Sequence, residues 1–309
     1  MGNSQAEKLI IIGSGPAGLT AAIYAARGNL KPLVIAGREA GGQLVWTTDV
    51  DDYPGFETGI QGPELMAKMR KQAERFDTRF IGEDVVSVDL KTRPFVVQSE
   101  SRRLMTESLI VATGASAIWL GLPSEERLKG KGVSACAVCD GFFFKGKVVA
   151  VVGGGDSALR EANYLSKLCK QITVIHRRDT LRAQAALQEL VKNKTNVNFI
   201  WNSIVEEVLG QDKVTGLKLK NTQTGKISEL QIDGLFVAVG HKPNTDFLKG
   251  QLALDKKGYI VVKNDTQTNI PGVFAAGDVA DFKYRQAVTA AGAGCKAAFE
   301  AEEYLANMR

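Results

Sequence analysis

The 309 residues are 44% hydrophobic and 24% charged, a globular balance with room for about two domains, which excludes a fibrous or disordered chain. The formal charge of +5 is spread along the chain, with one concentration at His176-Arg177-Arg178, so the basic face of a nucleic-acid binder is missing and anionic cofactors or acidic partners are the better match. No stretch has the apolar length of a membrane span, and the first residues run into an apolar strand at 8–12 without room for a signal peptide, so the expected location is cytoplasmic.

In chain order, the first element is the apolar run Leu9-Ile10-Ile11-Ile12, followed by Gly13-Ser14-Gly15-Pro16-Ala17-Gly18 and an Ala-rich helix to about residue 26. A further strand is expected at 32–35. Partial alternation at 84–98 predicts a β-meander. After a turn-rich stretch at 114–123 comes Cys136-Ala137-Val138-Cys139-Asp140-Gly141. The opening pattern then repeats: Val148-Val149-Ala150-Val151-Val152, Gly153-Gly154-Gly155-Asp156-Ser157-Ala158, a helix to about residue 168 and a strand at 171–175. A second meander is expected at 214–232 and a second turn-rich boundary at 240–245. The segment 272–278 reads as a short strand ending in Gly277-Asp278, and an Ala-rich helix is predicted over 286–305. Two such βαβ units imply an α/β fold with two Rossmann-like, three-layer ββα nucleotide-binding domains, the second inserted in the first. The expected boundaries are 1–117 with 244–309 for one domain and 118–243 for the other.

The spacing Gly13-x-Gly15-x-x-Gly18 between strand and helix is a dinucleotide fingerprint. The first glycine permits the tight turn, the second lets a pyrophosphate approach the backbone, and the third lets helix pack on strand. The helix N-terminus, entered through Pro16 and Ala17, then offers free N–H groups to phosphates. The nearest acid after the next strand is Glu39. In the second copy, Gly153-x-Gly155-x-x-Ala158, the following strand ends in His176-Arg177-Arg178, with Arg182 four residues on and placed to share a helical face with Arg178. A carboxylate there would bind a free 2′-hydroxyl, whereas guanidiniums favour a 2′-phosphate, so NADPH is expected over NADH; the competing reading is a solvated basic surface.

Four cysteines are present: Cys136, Cys139, Cys169 and Cys295. A CxxC in an α/β chain reads as a redox-active dithiol whose thiol pKa falls where a helix begins, and Asp140 is adjacent to exchange a proton. The alternative, half of a zinc site, lacks a second ligand pair, so no metal is expected. Cys169 and Cys295 fall in helical segments, where small buried thiols are the usual occupants.

Together these segments resemble the low-molecular-weight thioredoxin reductase family nearly end to end. The likeness extends through Gly41-Gly42-Gln43-Leu44, Tyr53-Pro54-Gly55, Ala112-Thr113-Gly114-Ala115, Gly240-His241-Lys242-Pro243-Asn244-Thr245, Ala275-Ala276-Gly277-Asp278 and Arg285-Gln286-Ala287. The resemblance implies FAD at the first glycine loop, with contributions from Gly42, Gln43, Leu44, Asp52, Thr113 and Gly114. Asp278 would contact the ribityl–phosphate region, and Arg285, Gln286 and Ala287 would lie along the flavin. NADPH would sit at the second loop, against Gly153, Gly155, Asp156, Ser157, Ala158, His176, Arg177, Arg178 and Arg182. Cys139 would stand next to the flavin, Cys136 would attack the thioredoxin disulfide, and Asp140 would be the acid–base. A homodimer whose NADPH domain swings between two orientations is also implied. The sequence departs from the family pattern at Asp52, where Asn is usual, and at Arg160, where an acid is usual. Two other readings stand beside this one. The first is a reductase of the same fold fed by another donor such as ferredoxin, or serving another protein disulfide. The second is a flavin-binding redox sensor without turnover.

Overall fold

The computed structural model describes residues 6–47, 49–248 and 250–308. Residues 1–5, on which the signal-peptide argument bears, lie outside them. The chain divides into two compact units, Met1–Ser116 with Lys242–Arg309, and Ala117–His241.

In the first unit the strands Arg79–Ile81, Leu33–Ile35, Glu7–Ile12 and Arg103–Val111 lie side by side in that order, and Val273–Ala275 adds to the far side of Arg103–Val111, all parallel. Arg103–Val111 also carries an antiparallel meander with Phe95–Ser99 and Val85–Asp89. The apolar runs are continuous because the sheet is covered on both faces. Strand alternation then sorts the side chains. Leu9, Ile11, Val34 and Ile110 join the core under the helices, while Ile10, Ile12, Ile35, Leu109 and Val111 join Phe95 and Val97 of the meander. Each such side chain contributes about 1.5–3 kcal/mol on burial.

The helix Pro16–Arg27 starts with proline in its first turn, where the missing N–H costs nothing, and ends on Arg27, which favours the negative helix terminus. It packs on the Ala-rich helix Ala287–Asn307, with Ala21, Ala25, Ala297 and Ala301 in one cluster. The approach is so close that a Cβ on Gly294 would run into the Ala17 carbonyl.

The second unit repeats the plan with a parallel sheet ordered Val133–Ser134, Gly234–Val237, Val148–Val152, Gln171–Ile175 and Val197–Ile200. Val149 and Val151 pack under the helix Asp156–Leu165, and Ala150 and Val152 pack against Val205, Val208, Leu217 and Leu219. The last four belong to a separate antiparallel sheet of Ser203–Leu209, Gly216–Asn221 and Ile227–Gln231. This meander begins earlier than the alternation suggested. The helix ends earlier too, at Leu165 rather than about residue 168, because the chain tightens there: the Lys167 and Leu168 N–H groups donate three residues back, to the Tyr164 and Leu165 carbonyls at 3.2 and 2.9 Å. The expected α/β class with two Rossmann-like folds is what the chain forms.

Candidate functional site

In the first unit the glycine loop is held by its neighbours. Gly13 has φ +110°, and a Cβ there would strike the Ala112 carbonyl; a Cβ on Gly18 would strike the carbonyl of Gly13. Gly15, the N-cap of the helix, faces open space instead. This is the combination a phosphate cradle requires: two positions closed by packing and one left clear above free N–H groups. Ser14 ties the cradle together, since its buried hydroxyl donates to the Ala36 carbonyl at 2.7 Å and accepts from the Gly41 N–H at 2.9 Å. Through Gly41 it sets Gly42 beside the loop, where a Cβ would stand 3.4 Å from the Gly15 Cα.

Other expected residues converge here. Thr113 follows the Ala112 carbonyl that closes on Gly13, and its hydroxyl donates to the Asn244 carbonyl at 2.7 Å. The Gln43 side chain donates to the Ala115 carbonyl, next to Gly114. Gly277 packs on Ala17 and Ala290, which brings Asp278 to the same end of the sheet. Gln286 stands at the N-cap of the helix that begins at Ala287, its N–H donating to Thr289 Oγ1 at 3.3 Å, and Arg285 before it has φ +51°. Leu44 is half-buried in the short 3-10 turn Gly42–Trp46. Glu39 and Asp52 are exposed, and among the described residues no hydrogen bond joins either to the cradle.

The second unit repeats the cradle. Gly153 has φ +151° and closes against Ala238 and Ala158, whose methyl group the turn accommodates; Gly155 again opens onto space, at the start of the helix that carries Asp156, Ser157 and Ala158. The loop after the next strand folds back onto it: the Arg182 N–H donates to the Gly154 carbonyl at 2.7 Å and the Gln184 N–H to Asp156 Oδ1 at 2.8 Å. Those bonds hold residues 177–184 outside any helix, so Arg178 and Arg182 do not share a helical face as their spacing suggested; the helix starts later, at Ala185. Arg177, Arg178 and Arg182 are exposed, and among the described residues no carboxylate pairs with them. His176 is placed differently. It is 4% exposed and lies against Gly154, supporting the loop from within. Burial, then the neighbouring arginines, push its pKa down against a backbone hydrogen bond to Thr180 that raises it.

Cys136 and Cys139 form a disulfide. Cys136 caps the short helix Ala137–Asp140, its sulfur accepting from the Cys139 N–H at 3.2 Å, and its own N–H donates to Ser134 Oγ at 3.0 Å. The pair follows the carboxyl end of Val133–Ser134, the glycine loop follows Val148–Val152, and the arginines follow Gln171–Ile175. These strands are parallel, so all three features open on one edge of one sheet, where α/β folds take ligands.

The family model for pyridine nucleotide-disulphide oxidoreductases matches residues 7–294. The chain belongs to this family. It is 55% identical to a thioredoxin reductase of Coxiella burnetii over all of this chain and 99% of that one. It is also 51% identical to a glucosaminate ammonia-lyase of Pseudomonas fluorescens, over 98% of this chain and 97% of that protein. The solved thioredoxin reductase of Giardia duodenalis superposes with a TM-score of 0.93 at 46% identity, covering 97% of this chain and 98% of that one. Membership of this oxidoreductase family implies a flavin and a nicotinamide nucleotide, and the two cradles provide two places with the required shape.

The carboxyl of Asp278 is pushed up to about 7, first by burial and then by Asp281, against the opposing pull of Arg285. A carboxyl whose charged form is disfavoured by burial is suited to hydrogen-bond a ligand hydroxyl. Cys169 is buried, and loss of hydration pushes its thiol up to about 11, which leaves it inert. Cys295 is half-buried. Among the described residues no three His, Cys, Asp or Glu side chains are grouped to hold a metal ion, and no helix is long and apolar enough to cross a membrane.

Sequence reasoning missed Ser14 and Ser134, small polar residues whose value lies in bonds to distant backbone. It also missed Phe142 and Val138, 63% and 46% exposed on either side of Cys139. Their signal was present as apolar residues flanking the dithiol, but only exposure separates them from the buried Phe144.

Proposed function

We propose that this chain is a thioredoxin-disulfide reductase that passes electrons from NADPH through FAD and the Cys136–Cys139 pair to thioredoxin. The observation that carries the reading is the disulfide, whose Cys136 caps a short helix, on the same sheet edge as a nucleotide cradle rimmed by exposed arginines that pair with no carboxylate among the described residues. Met1–Ser116 with Lys242–Arg309 is then the FAD-binding domain and Ala117–His241 the NADPH-binding domain. FAD fits the first cradle, where Gly15 and Gly42 leave backbone clear and the half-buried Asp278 lies at the same end of the sheet; when bound it supplies the two-electron relay between nicotinamide and disulfide. Arg177, Arg178 and Arg182 would hold a 2′-phosphate by charge-assisted hydrogen bonds.

The chain's own chemistry begins at sulfur. The disulfide takes up two electrons and two protons and opens to a dithiol. Cys136, as thiolate, attacks one sulfur of the partner disulfide and expels the other as thiolate, forming a mixed disulfide. Cys139 then attacks Cys136, releasing the partner as a dithiol and restoring the Cys136–Cys139 bond. Asp140, next in sequence to Cys139, exchanges the protons. Val138 and Phe142 give a protein substrate an apolar surface to cover. The family resemblance adds a homodimer and a cytoplasmic location. Steady-state oxidation of NADPH and of NADH, with thioredoxin and with a small chromogenic disulfide, tests the reading. It holds if NADPH and thioredoxin together support turnover, and it fails if thioredoxin does not accelerate NADPH oxidation.

A further inference from the structure

In the second unit the 2′-phosphate ligands and the pyrophosphate cradle lie on separate loops, and one buried side chain joins them. The imidazole of His176 fills the space over Gly154 so completely that a Cβ on that glycine would overlap the ring. The residue is anchored through its backbone, and its ring packs between neighbours. The His176 N–H donates to the Ile200 carbonyl at 2.9 Å, and its carbonyl accepts from the Ser203 N–H at 3.0 Å. Trp201 meets the ring edge-on at 6.5 Å and is itself stacked on Phe199 at 5.1 Å. The Thr180 backbone, within the arginine loop, acts on the imidazole and favours its protonated form.

Stability alone gives no reason for a histidine here. Its Nε2 is buried without a hydrogen-bond partner among the described residues, a cost that an aliphatic side chain would avoid. The arginine loop does give a reason. It carries Arg177, Arg178 and Arg182 with no carboxylate among the described residues to gather them, so their mutual repulsion must be opposed mechanically. Two backbone bonds do part of this, from Arg182 to Gly154 and from Gln184 to Asp156. The ring, seated on Gly154 and reaching Thr180, supplies the rest.

We propose that His176 is a positioning residue for the nicotinamide nucleotide: it locks the arginine loop in register with the Gly153–Gly155 turn, and Gly154 is glycine to admit its ring rather than to admit a phosphate. The inference rests on the reading of this unit as the NADPH site and adds to it the element that makes two loops one site.

Calorimetric binding of NADP+ and of 2′,5′-ADP to the oxidised, flavin-loaded protein tests it. His176→Ala weakens both ligands roughly tenfold, the scale on which a displaced binding group is felt. Gly154→Ala alone weakens them more, because the ring is driven out of place. In the double variant the new methyl enters the vacated space, and affinity is no worse than in His176→Ala. Val174→Ala, which opens a cavity in the adjacent strand, lowers Tm and leaves both affinities unchanged, separating positioning from stability. Parental affinity in His176→Ala, or additive losses in the double variant, would overturn the proposal while leaving the NADPH reading intact. A parent protein that binds neither ligand removes both. Should Gly154→Ala fail to fold, His176→Ala set against Val174→Ala still decides.

Discussion

Both units run a buried strand into a glycine turn and a helix, and both place arginine just past the next strand, but the two arginine sites have opposite surroundings. In the first unit Arg38 is engaged by Glu100, with a hydrogen bond of 3.0 Å from its Nε, and its N–H donates to Asp84 at 3.0 Å. Glu100 raises the pKa of Arg38 and Arg38 lowers that of Glu100, each chiefly through their hydrogen bond. In the second unit Arg177, Arg178 and Arg182 have no such partner among the described residues. A guanidinium already satisfied by carboxylate has nothing to offer a phosphate, while an unsatisfied cluster does. The shared cradle therefore specifies a dinucleotide, and the strand end specifies which one.

The largest effect expected is at the dithiol. Cys139→Ser reduces thioredoxin turnover to background but leaves a yellow protein whose flavin NADPH still reduces; parental turnover in that variant would remove the dithiol from the electron path. Next come the arginines. Arg177→Ala with Arg178→Ala raises KM for NADPH by about two to four orders of magnitude, since each charge-assisted bond is worth about 1.5–3 kcal/mol, and brings NADPH and NADH closer together with kcat little changed. Arg38→Ala does none of this, and an equal effect there would break the contrast between the units.

Phe142→Ser is smaller in scope: it raises KM for thioredoxin by about tenfold, in line with loss of an aromatic interface anchor, and spares a small chromogenic disulfide. Smallest is a pH effect. The folded pKa of Asp278 is raised to about 7 by burial, so its contribution to stability is full below the ordinary carboxyl range and is lost as pH rises through about 7. The Tm of the apoprotein therefore declines by a few degrees from pH 5 to pH 8 through this group, and Asp278→Asn flattens that slope.

Both strand–turn–helix units were legible because their physics is local: apolar runs, glycines that clear a backbone path, a proline in a first helical turn. The meanders were legible as alternation, with blurred ends. What could not be read depended on the fold. Whether an arginine is paired is invisible at Arg38, whose Glu100 stands 62 positions away. The spacing of Arg178 and Arg182 suggested a helix because nothing in it shows Gly154 and Asp156 capturing the loop. His176 read as one more basic group at a strand end, yet burial turns it into a support. Ser14 was only a filler between two glycines until its bonds to Ala36 and Gly41 were seen.

The measurement closest to the central claim is thiol mapping after reduction by the nucleotide. Oxidised protein is reduced anaerobically with NADPH, alkylated and digested, and the modified cysteines are identified by mass. The account predicts that NADPH makes two thiols per chain newly reactive, at Cys136 and Cys139, and that oxidised thioredoxin protects both again. Labelling unchanged by NADPH, or new labelling confined to Cys169 or Cys295, would contradict it.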